Sequence, residues 1–105
     1  MTDRAIVDKL AELLQPWGEV RVKPMFGEWG VYIDERFAAI IGDSKLFLKV
    51  KGVPDEIVET VFGGRTEPYP GASNYALIVP EKFDDSAWCQ SAETALRSAK
   101  VLVVK

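Results

Sequence analysis

An α+β fold, with a mostly antiparallel sheet and helices packed on one of its faces, is what this sequence predicts, and three observations carry that prediction. Apolar residues recur at helical spacing near both ends of the chain. Between those ends the apolar period switches to two. The period-two runs follow one another across turns too short to hold a crossover helix, which favours hairpins over a doubly wound parallel sheet.

The elements follow in order. Ile6, Leu10, Leu13 and Leu14 repeat at helical spacing behind the capping candidates Thr2 and Asp3, and Pro16 with Gly18 stops the pattern, so a helix is predicted from about 3 to 15. Val20 and Val22 then alternate with Arg21 and Lys23, and Trp29, Val31 and Ile33 alternate with Gly30, Tyr32 and Asp34. Asp34-Glu35-Arg36 is a polar turn into Phe37–Ile41, and Gly42-Asp43-Ser44-Lys45 a second turn into Leu46–Val50. That makes a four-stranded meander. Val53-Pro54-Asp55-Glu56 opens a second helix with Ile57, Val58, Val61 and Phe62 on its apolar face, and Gly63-Gly64 ends it. Thr66–Tyr69 and Asn74–Val79 are predicted to form a hairpin around Pro70-Gly71, closed by Pro80. Asp84-Asp85-Ser86 caps a last helix whose apolar positions are Trp88, Ala92, Ala95, Leu96, Ala99 and Leu102. The predicted order is α-β-β-β-β-α-β-β-α. With 105 residues and no repeat, linker or low-complexity tract, residues 1–105 are expected to form one domain.

Composition removes much common chemistry. The sequence has no histidine and one cysteine, Cys89, so an imidazole-based zinc site, a His-dependent triad and an intrachain disulfide are all excluded. Thirteen Lys and Arg against sixteen Asp and Glu leave a net charge of −3, which disfavours a strongly electrostatic nucleic-acid binder but leaves room for a local basic patch. No apolar run approaches the roughly 18 residues of a membrane span. The N-terminus lacks a basic start followed by an apolar block, and a cytoplasmic location with no membrane partner is expected.

The strongest local signature is Met25-Phe26-Gly27-Glu28-Trp29-Gly30-Val31-Tyr32-Ile33-Asp34, followed by Phe37-Ala38 and then Leu46-Phe47-Leu48-Lys49-Val50. Further on come Val79-Pro80-Glu81 and the helix bearing Trp88, Ala95-Leu96 and Ala99. Together these blocks resemble the N-terminal domain of the TfoX/Sxy family of competence regulators, over nearly the whole chain, with Phe47 where the family usually carries Tyr. The resemblance implies a two-layer architecture similar to secretion chaperones and a role as a transcriptional co-regulator or adaptor acting through other proteins. It brings no catalytic residues and no cofactor. Full-length members add a C-terminal helical domain, so a stand-alone version is expected.

Two surfaces are candidates for contact with a partner. Met25, Phe26, Gly27 and Trp29 could present an adaptable apolar contact to a protein, with Gly27 supplying a positive φ; the plainer reading is a β-turn whose side chains fill the core. Strand alternation also sets Arg21, Lys23, Tyr32, Phe47, Lys49 and Lys51 on the sheet face away from the helices, a basic surface with aromatics interleaved that could stack bases and neutralise phosphates. Residues 19–51 nevertheless carry six basic and five acidic side chains, and a solvated or dimer-forming face is the plainer reading.

Other features read as structure. The pairs Asp34-Glu35, Asp55-Glu56 and Asp84-Asp85 fall at turns or helix starts, where capping accounts for them. Phe62-Gly63-Gly64-Arg65 lacks the ending of a phosphate loop, and Cys89 has no histidine to activate it. No catalytic, metal or cofactor residue is assigned. A non-enzymatic regulatory or protein-interaction module is expected, with direct nucleic-acid binding as the alternative and a small enzyme third. The apolar run Val101–Val104 must dock, either in the domain's own core or in a homodimer.

Overall fold

A computed structural model describes residues 1–104. The helix α1 (Arg4–Glu12) is followed by a 3-10 turn at Gln15–Trp17 and by four strands, β1 (Val20–Met25), β2 (Glu28–Ile33), β3 (Arg36–Gly42) and β4 (Lys45–Lys49). Then come α2 (Asp55–Phe62), β5 (Tyr75–Ile78), a second 3-10 turn at Pro80–Asp84 and α3 (Ser86–Ser98). The five strands lie in the order β1-β2-β3-β4-β5, each antiparallel to its neighbour.

The meander rests on turn chemistry. Phe26-Gly27 (φ 47° and 80°), Asp34-Glu35 (50° and 68°) and Asp43-Ser44 (52° and 60°) each place both central residues at positive φ, as a two-residue hairpin of the right twist requires. Each turn fixes the register of the strands it joins. Val22, Val31, Ala39 and Leu48 thereby line up across the meander, and Ala76 of β5 continues the row beside Leu48. On this face Val31, Ile33, Ile41, Leu46 and Leu48 are buried against Val7, Leu10 and Leu14 of α1, Val58 and Phe62 of α2, and Trp88, Ala92 and Leu96 of α3. The helices cover one face, as the alternation predicts.

The second face holds its own apolar cluster of Ile40, Phe47, Ala72 and Tyr75, flanked by Met25 and Phe37. Its cover is the chain between α2 and β5. Of the predicted Thr66–Tyr69 strand only a single bridge forms, Thr66 to Tyr75, because Pro68 and Pro70 cannot donate to a ladder. The turn at Pro70-Gly71 does form: the Ala72 amide donates to the Tyr69 carbonyl at 3.1 Å, with Gly71 at φ 87°. The loop lies across the sheet and buries Ala72.

The end of the chain packs into the domain's own core. Lys100, at φ 64°, reverses the chain after α3, and the amides of Val101 and Leu102 donate to the Leu96 carbonyl, so that both side chains are buried. Arg97 secures the reversal by donating to the Val103 carbonyl and, at 3.0 Å, to the Trp17 carbonyl.

The start of the chain is tied to the sheet by Glu28. Its carboxylate accepts from the Asp43 amide at 3.0 Å and the Thr2 amide at 2.7 Å. Those two bonds, Asp43's first, hold the Glu28 carboxyl below its ordinary value of 4.5. The tether's contribution is therefore complete above the ordinary value and is lost as pH falls through the lowered one. Urea midpoints taken from about pH 6 to pH 3 should show an acid-side loss of stability that Glu28→Gln reduces. An unchanged pH profile in that variant would discard the tether.

Candidate functional site

The β1–β2 hairpin ends in an exposed aromatic. Phe26 is 92% exposed and sits at φ 47°, a region where a bulky side chain is an outlier. This corrects the plainer expectation that the turn's side chains fill the core. The two-residue turn, with both residues at positive φ, leaves the Phe26 ring almost wholly in solvent. Met25 does turn inward, onto the second-face cluster. Phe26, Met25, Glu28, Ile40, Pro68 and Tyr69 line a largely apolar cleft of about 400 Å³. Tyr69 is itself 47% exposed.

Trp29 lies elsewhere. It pairs with Pro24 and shares the core face with Val31 and Ile33, is 9% exposed, and donates its indole N–H to the Thr2 carbonyl at 3.1 Å. The tip thus brings together Met25, Phe26 and Gly27 and leaves Trp29 out. Gly27, at φ 80°, has nothing within 4 Å of where a Cβ would be, so conformation rather than space calls for glycine there. Ile40, Pro68 and Tyr69 join the site across the sheet and loop, and no local sequence signal announces them.

The second face also carries the residues foreseen as a basic surface. Lys23 lies 5.2 Å over the Tyr32 ring, and the Tyr32 and Phe37 rings meet edge to face at 5.4 Å. Lys49 sits 5.7 Å over Phe37. Phe37 reaches this face through a bulge: Val31 pairs with Ala39 but Tyr32 with Phe37, leaving Ala38 over and reversing the alternation. The surface is less uniform than alternation suggests. Arg21 is engaged by Glu35 at 2.7 Å, and Phe47 is buried beneath the Ala72 loop. Lys51, beyond β4, lies with Arg36, Phe37, Lys49 and Lys100 around a separate cleft of about 400 Å³.

Several carboxylates serve caps and pairs. Asp85 accepts from the Ala87 and Trp88 amides as the cap of α3, Asp55 pairs with Arg65 at 2.8 Å, and Asp34 accepts from the Glu19 amide. The Cys89 thiol is pushed up by burial and, further, by Asp85 and Asp84, and lies 3.5 Å from the Phe83 carbonyl. A larger cleft of about 780 Å³ between α2 and α3 is lined by residues such as Ile57, Val61, Ala87, Ser91 and Ala95, and none of its lining side chains is ionisable. Among the described residues no three His, Cys, Asp or Glu side chains gather to hold a metal, and no helix is long and apolar enough to cross a membrane.

A single antiparallel sheet with helices on one face and an exposed aromatic at a hairpin tip defines a small α+β domain. The particular family follows from comparison with known proteins. The chain belongs to the TfoX N-terminal domain family, whose model matches residues 12–99. It is also 34% identical over 74 residues to a Spirochaeta aurantia protein described as an "uncharacterized 12.7 kDa protein in trpE 5'region"; the match covers 70% of this chain and 63% of the relative.

Proposed function

We propose that this chain is a non-enzymatic protein-interaction module with a regulatory role in the cytoplasm, of the kind that the family resemblance implies for transcriptional co-regulators of competence, and that it grips its partner protein with the Phe26 tip. The observation that carries this reading is Phe26 itself. An aromatic held at positive φ costs about 1 kcal/mol or more relative to glycine, and leaving it in water forgoes roughly 1.5–3 kcal/mol of burial. Neither cost is offset inside the domain, and a partner that covers the ring offsets both. The adjoining cleft formed by Met25, Ile40, Pro68 and Tyr69 supplies apolar area continuous with it.

The nucleic-acid alternative draws on Lys23 over Tyr32 and Lys49 over Phe37. A single-strand binder needs stacking rings that are open and a basic track that is continuous. Phe47 is covered and Arg21 is paired, so the apolar tip is the better supported surface.

Phe26→Asn separates binding from folding. Asn suits positive φ and removes an exposed ring, so stability should rise by about 0.5–1 kcal/mol in urea titrations. A photo-crosslinking residue at Tyr69 should capture one specific protein in cells from the wild type and not from Phe26→Asn. Equal capture by both would sink the reading.

A further inference from the structure

We propose that the cleft bounded by the start of β3, the end of β4 and the chain just after α3 is a binding site for a di- or triphosphate group. The reading is independent of the Phe26 tip, which lies at the opposite end of β2 and β3.

Four cations from three stretches of chain converge there: Arg36 at the start of β3, Lys49 at the end of β4 with Lys51 just beyond it, and Lys100 after α3. No carboxylate lines the cleft. Outside the cleft Arg4, Arg21, Lys45, Arg65 and Arg97 are each within 4 Å of a carboxylate, and Lys9, Lys23 and Lys82 are not. Among the described residues none of the cleft's four cations has such a partner, and these four are gathered around one cleft. A chain with a net charge of −3 has acidic residues to spare, so four like charges gathered without one are matched by an anion from outside.

Geometry favours a compact, highly charged anion. The cleft, of about 400 Å³, is at the small end of the range for ligand pockets. Lysine ammonium groups act as mobile point charges suited to phosphate oxygens. Arg36 is fixed by donating to the Lys100 carbonyl at 2.8 Å, which ties the β3 wall to the α3 wall. Lys100 occupies a left-handed position where helix ends usually place glycine or asparagine, so a cation stands at a site that conformation alone would give to a smaller residue. Phe37 and Val101 add an apolar wall. A free pyrophosphate and a nucleotide share the phosphate chemistry, and the wall bears on which of them is taken.

The experiment is calorimetric titration of the full chain with pyrophosphate, tripolyphosphate, ADP and ATP at about 20 and 150 mM salt, beside the wild type's Lys51→Glu and Lys100→Gly variants. Lys100→Gly suits the left-handed backbone, so its fold is secure even if Lys51→Glu is perturbed. One saturable site, weakened by salt and at least tenfold by either variant, is expected. Equal affinity for pyrophosphate and ADP supports recognition of the phosphates alone, and a tenfold preference for ADP supports a nucleotide held against Phe37. Three results would overturn the proposal: no saturable binding at low salt, binding indifferent to both variants, or tighter binding of a Glu-rich peptide or single-stranded DNA than of any phosphate compound.

Discussion

Trp88→Ala is expected to lower the unfolding free energy by about 3–5 kcal/mol, the range for removing a buried large aromatic. Trp88 is the joint between α2 and α3. Its ring meets Phe83 edge to face at 5.2 Å and Phe62 at 6.4 Å, with Trp17 6.3 Å away. Its indole N–H donates at 2.7 Å to the Val61 carbonyl, one of those left without an intrahelical partner at the end of α2. Alanine therefore leaves both a cavity and an unsatisfied acceptor. For a domain of this size, Tm should fall on the order of 15–30 °C. Trp88→Phe separates the two effects: it keeps most of the ring packing, loses the hydrogen bond, and should cost about 1–2 kcal/mol. Guanidinium titrations of the three proteins measure both steps. A Trp88→Ala midpoint within error of the wild type would mean that α3 is held by the tail and Arg97 instead.

The effect on Trp88 is legible in the sequence, and the effect on surfaces is not, for a physical reason. Trp88, Ala92 and Leu96 repeat at the helical period, so their burial follows from spacing alone. The hairpin turns Asp34-Glu35 and Asp43-Ser44 announce themselves by polar residues between apolar runs, and the apolar tail Val101–Leu102 could not have been left in water. Sequence reading lost accuracy wherever one residue changed the side on which others lie. Ala38, the bulged residue, turns Phe37 to the second face, and no composition signal marks it. A hairpin around Pro70-Gly71 predicts a strand over Thr66–Tyr69, but Pro68 and Pro70 leave only one bridge there, and the stretch lies as a loop over Phe47. Nearness in sequence groups Trp29 with Met25, but its alternation with Val31 and Ile33 puts it on the core face. Arg36 and Lys100 are 64 residues apart and met only because α3 ends in a left-handed reversal. Secondary structure follows period; surface sites follow register and loops, which period does not fix.

Gly18→Ala should be the second most damaging exchange, at about 2–4 kcal/mol, although it adds one methyl group at a partly exposed turn. Gly18 links the 3-10 turn to β1 at φ 152° and ψ −171°, a conformation essentially confined to glycine. Space is closed as well. A Cβ there would lie 2.8 Å from both Asp34 Cγ and Ile33 Cγ2, and would press on Asp34 Oδ2. Asp34 has no freedom to retreat, because its Oδ1 accepts from the Glu19 amide at 2.9 Å and its own amide donates to the Glu19 carbonyl at 2.8 Å, the pair that closes the end of the β1–β2 ladder. Strain and collision can be told apart by a double-mutant cycle with Asp34→Gly, which is compatible with that residue's φ of 50°. If collision dominates, Gly18→Ala costs markedly less in the Asp34→Gly background. If backbone conformation or the remaining collision with Ile33 dominates, the two losses add. A Gly18→Ala variant as stable as the wild type would show that the chain enters β1 by a different path, and the register that places Arg21, Lys23 and the Phe26 tip would have to be redrawn with it.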